Sequence, residues 1–547
     1  VSWLINSVYM ESSMDELLLL TNGRIYTMDE SRPFATTIII RNSQIVAVGD
    51  DKLISEFEGQ AGERIDLDGR CVIPGLVDAH VHFRNFSMAR RRVNLDFAAS
   101  LEEVLQRIAA YAAEEKHIER SGWLRGRGWV QGGWSEGRFP TAADLDQVVN
   151  HVPALMTHKS GHAAWVNTRA LRLTGITSET PDPPGGEIQR DGRGQPTGIL
   201  FEEAMNLVTD LIPEAPLDEV VEAMRDGQKY CWEVGLTGIH DFDGRSCFLA
   251  LQQLHQNQEL RLRVVKNIPV KRLEHAVGVG LKSGFGDEWL RIGGIKIFAD
   301  GALGPRTAAM VEPYENEPDN FGIVVTDKEE MMAAASEASA NGLSVTVHAI
   351  GDRANHDVLD VYEAIRKQEA RGKKLRHRIE HVQLLHPNDL QRLAELDIIA
   401  SMQPLHATSD MNMADTYWGA RARYAYANRT MLDSGATVVF GSDAPIEGIE
   451  PLPGIHAAVT RRRANGNPGP NGWYPEQRLA IEEAVRGFTT AAAFTSGQEN
   501  RLGSISAGKL ADLTIFDRDI FNIPSDELLE VGIAGTIIGG QFRFRAW

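Results

Sequence analysis

Between residue 17 and about residue 72 the chain alternates short aliphatic or β-branched runs, at 24–27, 37–40, 44–49 and 64–69, with polar or glycine-containing turns. Runs of that length and composition read as strands, here as a small antiparallel sheet. The same texture returns at 512–517, 535–540 and 541–544. Residues 1–74 and 500–547 are therefore expected to join in one composite β-sandwich. The first dozen residues carry no usable pattern. The apolar run at 17–20 follows Asp15 and Glu16, lacks a basic flank, and is too short for a signal segment or a membrane span.

Between these ends, strand-like runs alternate with helical ones, as in βα units that feed a parallel sheet. Eight candidate strands fall at 75–83, 235–242, 261–268, 291–299, 343–348, 376–382, 398–403 and 437–442. Eight such units close a (β/α)8 TIM-like barrel, here spanning 75–499. Helical spacing occupies 327–340, 355–369 and 387–396, and Gly351-Asp352-Arg353 reads as the turn that starts the second of these. The interval 84–234 is too long for a barrel loop and predicts an inserted subdomain. Because it follows the first strand, it is expected over the C-terminal face, where barrel active sites form. It holds half the tryptophans: Trp123, Trp129, Trp134, Trp165 and Trp232. Such residues usually fill a core, with an apolar substrate wall as the alternative.

A composition of 43% hydrophobic and 24% charged residues is ordinary for a globular protein and excludes neither enzyme nor scaffold. A formal net charge of −19, spread along the chain, argues against a nucleic-acid partner. Cys71, Cys231 and Cys247 are far apart, which excludes a disulfide framework and a thiolate zinc cluster and fits a reduced, cytoplasmic setting. A small molecule is the expected partner, with no membrane association. The oligomeric state is open, a homodimer being common for such folds.

Candidate chemistry begins at Pro74-Gly75-Leu76-Val77-Asp78-Ala79-His80-Val81-His82. Strand residues two apart face the same way, so His80 and His82 project together and can meet one metal ion at the barrel mouth. Lys296 stands between Ile295 and Ile297, so the pleat turns it toward the barrel interior. A buried lysine readily loses its proton. Its neutral amine could form a Schiff base or take up carbon dioxide as a metal-bridging carbamate; pairing with Asp300 is the structural alternative. His348 and His381 end consecutive strands and together favour imidazole coordination, whereas His377 starts its strand and belongs to the opposite barrel end. Asp443, after the eighth strand, either holds a turn or serves a metal-bound water as ligand and general base.

These segments together resemble the amidohydrolase superfamily and, within it, the YtcJ-type group, whose relatives include N-substituted formamide deformylases. The resemblance covers nearly the whole chain. It rests on the His80/His82 motif, Lys296-Ile297-Phe298-Ala299-Asp300-Gly301, Val347-His348-Ala349-Ile350-Gly351-Asp352, Ile379-Glu380-His381, Gly441-Ser442-Asp443-Ala444-Pro445 and Gly503-Ser504-Ile505-Ser506-Ala507-Gly508-Lys509-Leu510-Ala511-Asp512. It departs at Ala302 and Pro305, where relatives commonly carry serine. The resemblance implies that His80, His82 and Asp443 bind a first, more buried ion, and that carboxylated Lys296 bridges to a second held by His348 and His381. Zinc, two ions per chain, suits nitrogen and oxygen donors without sulfur. His158, His162 and Trp165 in the insertion, and Arg306 after the fourth strand, are the candidate substrate contacts.

The expected reaction is attack of a metal-activated hydroxide on a carbonyl or formyl carbon, Asp443 relaying the proton to the departing nitrogen of a non-peptide amide or N-substituted formamide. A Schiff-base lyase using Lys296, a cyclic-amide or lactone hydrolase, a heterocycle aminohydrolase and a non-catalytic scaffold are the alternatives.

Overall fold

The computed structural model describes residues 17–547 apart from 58, 59, 61, 115–117, 160, 162 and 370–373. The patternless first dozen residues and His162 lie outside that set. Eight parallel strands form one sheet in chain order: β1 (Leu76–Val81), β2 (Leu236–Asp241), β3 (Arg263–Pro269), β4 (Leu290–Phe298), β5 (Ser344–Ala349), β6 (Arg378–His381), β7 (Ile399–Met402) and β8 (Val438–Phe440). Every one of the eight sequence runs becomes a barrel strand. Alternation explains their faces: Ile295, Ile297, Val345, Val347 and Ile379 are fully buried on one side. The intervening Lys296, Thr346, His348, Arg378 and Glu380 take the other side, in a register that sets Lys296 beside Thr346 and His348 beside Glu380.

The barrel closes along a seam between β1 and the turn after β8. The Asp443 amide donates to the His80 carbonyl at 2.7 Å, and the His82 amide donates to the Ala444 carbonyl at 2.9 Å. Asp78 of β1 reinforces the seam, its carboxylate accepting the amides of His80 and Ser442 at 3.0 Å each and the Ser442 hydroxyl. Close approach is possible because residue 441 is glycine: a Cβ there would lie 2.4 Å from the His80 nitrogen.

Two of the expected barrel helices appear as Lys328–Ala340, capped by the Asp327 carboxylate on the Glu330 amide, and Asp352–Gln368, which starts directly after Gly351. The third, at 387–396, is instead a 3-10 turn (Pro387–Asp389) and a short helix (Arg392–Glu395), halted by the left-handed backbone of Asp397 at φ 53°.

The chain ends build two further sheets. One runs Gln44–Gly49, Thr37–Arg41, Leu17–Thr21, Gly62–Asp66; the other runs Gln541–Arg545, Ile533–Ile538, Leu513–Phe516, Cys71–Pro74, Arg24–Tyr26, Phe34–Ala35. Neither is purely antiparallel as the sequence suggested. Leu17–Thr21 runs parallel to Gly62–Asp66, and Arg24–Tyr26 parallel to Cys71–Pro74, because the intervening strands return the chain to its starting direction. Leu20, Ile38 and Ile65 of the first sheet share one hydrophobic core with Val72, Leu513 and Ile537 of the second, which makes the pair a sandwich.

Two compact units result. One takes the chain up to His82, Gln228–Gly244 and Asn257–Trp547; the other takes Phe83–Gly227 and Arg245–Gln256. Within the second, a six-stranded sheet runs Gly186–Arg190, Pro196–Glu202, Ala163–Val166, Ala154–His158, Leu124–Trp129, Val93–Asn94. Trp123, Trp129, Trp134 and Trp165 are buried in its cores. Trp232 belongs to the first unit, where its indole donates to the Arg261 carbonyl at 3.3 Å. Among the described residues no helix is long and apolar enough to cross a membrane.

Candidate metal centre

Both ends of the barrel's strand order contribute to one cluster at the seam. His80 Nε2 and His82 Nε2 each lie 3.4 Å from Asp443 Oδ1. From His80 the cluster continues to His381, with ring centroids 4.9 Å apart, and from His381 to His348 at 4.5 Å. Lys296 reaches the same place: its Nζ lies 4.7 Å from the ring centre of Phe242 and 4.8 Å from that of Phe298. Those two rings pack on His80 at 4.1 Å and on His348 at 5.1 Å. The structure therefore brings together all six residues singled out from the sequence.

Each of the four imidazoles is tied at one ring nitrogen, and in His80 and His82 the other, Nε2, faces Asp443. His80 Nδ1 meets Glu380 Oε2 at 2.6 Å, His82 Nδ1 meets Asp243 Oδ1 at 3.2 Å, His381 Nδ1 meets Gln403 Oε1 at 2.8 Å, and His348 Nε2 meets the Gly301 carbonyl at 2.9 Å. Partners of this kind set ring orientation and tautomer in metal-ligating histidines. Glu380 is held in turn by Arg378, which also donates to the Ala79 carbonyl at 2.6 Å and to Ser401 Oγ at 3.1 Å.

Burial pushes the imidazoles of His80 and His348 down, to about 4 and about 3, and that of His381 well below its usual range. Neutral imidazole is the metal-binding form. His82 goes the other way: despite burial, Asp243 and Asp443 raise it to about 10. Against the pull of burial, the facing imidazoles, His80 foremost, hold the Asp443 carboxyl well below the carboxylate range. Burial lowers Lys296 to about 8 although Glu380 and Asp443 favour its charge. Its Nζ is fully enclosed and has no hydrogen-bond partner among the described residues, a costly state for a bare ammonium. An orphaned amine inside a set of nitrogen and oxygen donors fits a divalent ion.

Backbone strain reaches the site too. His381, Val382 and Asp443 adopt φ of 78°, 45° and 61°, a left-handed region unfavourable for residues with a Cβ and often retained at functional sites.

The other sequence candidates have contacts of their own. Trp165 is fully buried, its indole donating to the Thr141 carbonyl at 2.7 Å, so its role is packing. His158 stacks edge-on against Trp129 at 4.7 Å. Arg306 pairs with Glu317 and lies 5.4 Å from the Tyr417 ring. His377 is structural: Nδ1 accepts the Val345 amide at 2.9 Å and Nε2 donates to Glu369 at 2.9 Å. Asp300, weighed as a partner for Lys296, instead accepts the amides of Ala309, Ile350 and Gly351. Sequence reasoning passed over Asp78, Asp243, Glu380, Gln403 and His406. Asp78 and Glu380 sit inside quoted motifs, and the other three follow directly on barrel strands.

The chain is similar to known proteins over nearly its whole length. The chain is 32% identical to the Bacillus subtilis protein named as amidohydrolase YtcJ, over 95% of this chain and 98% of the relative. It is 30% identical to the N-substituted formamide deformylase of Arthrobacter pascens, over 96% and 98%. Its fold matches the crystal structure of a metal-dependent hydrolase from Pyrococcus horikoshii OT3 with a TM-score of 0.78 and 27% identity, covering 93% of this chain and 99% of that one. Residues 63–544 match the model of the amidohydrolase family, and the chain belongs to that family.

Proposed function

We propose that the protein is a metal-dependent amidohydrolase that cleaves a non-peptide C–N bond in an amide or N-substituted formamide. His80, His82 and Asp443 would hold one zinc ion, and His348 and His381 a second, with carboxylated Lys296 between them. The observation that carries the reading is the enclosed, unpartnered Lys296 amine among these donors. A lysine amine lowered to about 8 can lose its ammonium proton near neutral pH and then add to carbon dioxide, its nitrogen releasing a second proton as the carbamate forms. When bound, divalent ions supply Lewis acidity and lower the pKa of water.

The chain's own groups do the rest. Asp443 turns Oδ1 to His80 and His82 and keeps Oδ2 apart. That second oxygen takes the proton of the attacking water and hands it to the departing nitrogen, releasing an amine and an acid. Glu380, Asp243, Gln403 and the Gly301 carbonyl hold the imidazoles in register. The deformylase relative supports the C–N bond class, and three buried cysteines far apart in sequence accord with a reducing, cytoplasmic setting.

The test is a screen of N-substituted formamides and N-acyl amines with zinc-loaded and chelator-stripped protein. Turnover that needs the metal supports the reading. Turnover indifferent to chelators, with borohydride trapping a substrate adduct on Lys296, replaces it with the Schiff-base lyase.

A further inference from the structure

His406 lies outside the ligand set above, yet the structure aims it into the centre. It sits in the first turn of the helix Pro404–Trp418, which leaves the C-terminal end of β7. The side chain is 7% exposed and its Nε2 has no hydrogen-bond partner among the described residues. Its ring lies nearly parallel to that of His381, at 12° and 6.1 Å between centroids. Nε2 stands 3.9 Å from Asp443 Oδ2, the oxygen turned away from His80 and His82.

Distances separate this residue from the ligands. Two donors on one tetrahedral zinc at about 2.0–2.2 Å lie roughly 3.3–3.6 Å apart. The 3.4 Å separations of His80 and His82 from Asp443 Oδ1 fall in that range. The 3.9 Å separation of His406 from Oδ2 is too long for it and for a direct hydrogen bond. Neither group satisfies the other at that distance, so the buried Nε2 is left to meet a different atom in the centre.

We infer that His406 is a further catalytic residue, whose Nε2–H donates a hydrogen bond to the oxygen of the scissile carbonyl as that oxygen gains negative charge. The inference rests on the hydrolase reading and deepens it. Asp443 Oδ2 and His406 Nε2 line the same space with different tasks, the first accepting the proton of the attacking water and the second donating to the carbonyl oxygen beside it, whose charge grows as the tetrahedral intermediate forms. The Gln403-Pro404-Leu405-His406 segment thereby does two jobs: Gln403 orients His381 and His406 faces the reacting atoms.

The test uses zinc-loaded full-length protein and methylphosphonate, a tetrahedral oxyanion that needs no knowledge of the natural substrate. Zinc content is measured by elemental analysis and methylphosphonate affinity by calorimetry for wild type, His406→Ala and His406→Gln. The expected result is full zinc in all three, affinity weakened at least about tenfold in the alanine variant, as for loss of a hydrogen bond to a charged group, and recovery in glutamine, which keeps an N–H donor. Equal affinity in wild type and His406→Ala with full zinc overturns the inference and leaves the hydrolase reading standing. Zinc lost only from the variants makes His406 a ligand and overturns it also. Absence of zinc from every form defeats the hydrolase reading and the inference together.

Discussion

Glu380 is completely buried and has two partners, His80 on one side and Arg378 on the other. Replacing it by glutamine keeps the shape and removes the charge that fixes the His80 ring. Loss of such an outer partner typically costs about 10–100-fold in metal affinity, so chelator competition should show Glu380→Gln releasing zinc that much more readily. Unaltered competition curves would reduce Glu380 to a packing residue. For Asp443→Asn the expectation is reversed. An amide oxygen still faces His80 and His82, so zinc content should stay near that of wild type, while turnover falls by about 100-fold or more because the proton acceptor is gone. Elemental analysis beside steady-state kinetics separates the two outcomes, and undiminished turnover would take Asp443 out of the proton relay.

At the level of elements, the seam and the barrel's other end each offer a test. Gly441→Ala places a methyl group 2.4 Å from the His80 nitrogen. Because backbone cannot give way as a flexible side chain does, the substitution should cost about 1–3 kcal/mol in urea unfolding, and a cost near zero would mean that the seam can spread. Far from the seam, Glu369 ties the end of the helix Asp352–Gln368 to His377 and Arg366. Burial works to raise its pKa, but the hydrogen bonds from His377 and Arg366 win and lower it from 4.5 to about 2. A carboxyl depressed in the folded state contributes stability above its unfolded pKa and loses it as pH falls. Thermal midpoints should therefore decline between about pH 4.5 and about 2, and Glu369→Gln should flatten that part of the curve. A slope unchanged in the variant would assign the decline to other carboxylates.

Period-two alternation explains why the barrel was legible in the sequence. His80 with His82, and Lys296 between two isoleucines, follow the pleat. His348 and Glu380 keep the same period, and other site residues break it. Glu380 and His381 are consecutive and should point to opposite faces, but the left-handed backbone at His381 turns it back so that both serve the centre. Gln403 and His406 straddle the start of a helix and obey neither strand nor barrel register. Asp243 lies beyond the end of β2 and takes its place from His82, a partner 161 residues distant. Trp123, Trp129, Trp134 and Trp165 follow the usual reading of such residues, as core. Their indoles answer to the insertion's own cores, as large, mostly apolar side chains usually do.

For the whole molecule, the hydrogen bonds that shut the barrel are made by the backbone of His80, His82, Asp443 and Ala444, three of which also bring side chains to the proposed ion. An ion bound there favours the closed form alone, so chelation should lower the calorimetric midpoint by several degrees; a midpoint that ignores chelator would mean that the backbone clasp holds unaided. The same arrangement makes the cation an inspector of synthesis. A nascent chain stopped short of Asp443 has only half a socket, so a filled one certifies that the polypeptide has been made past its last barrel strand and has returned to where it began.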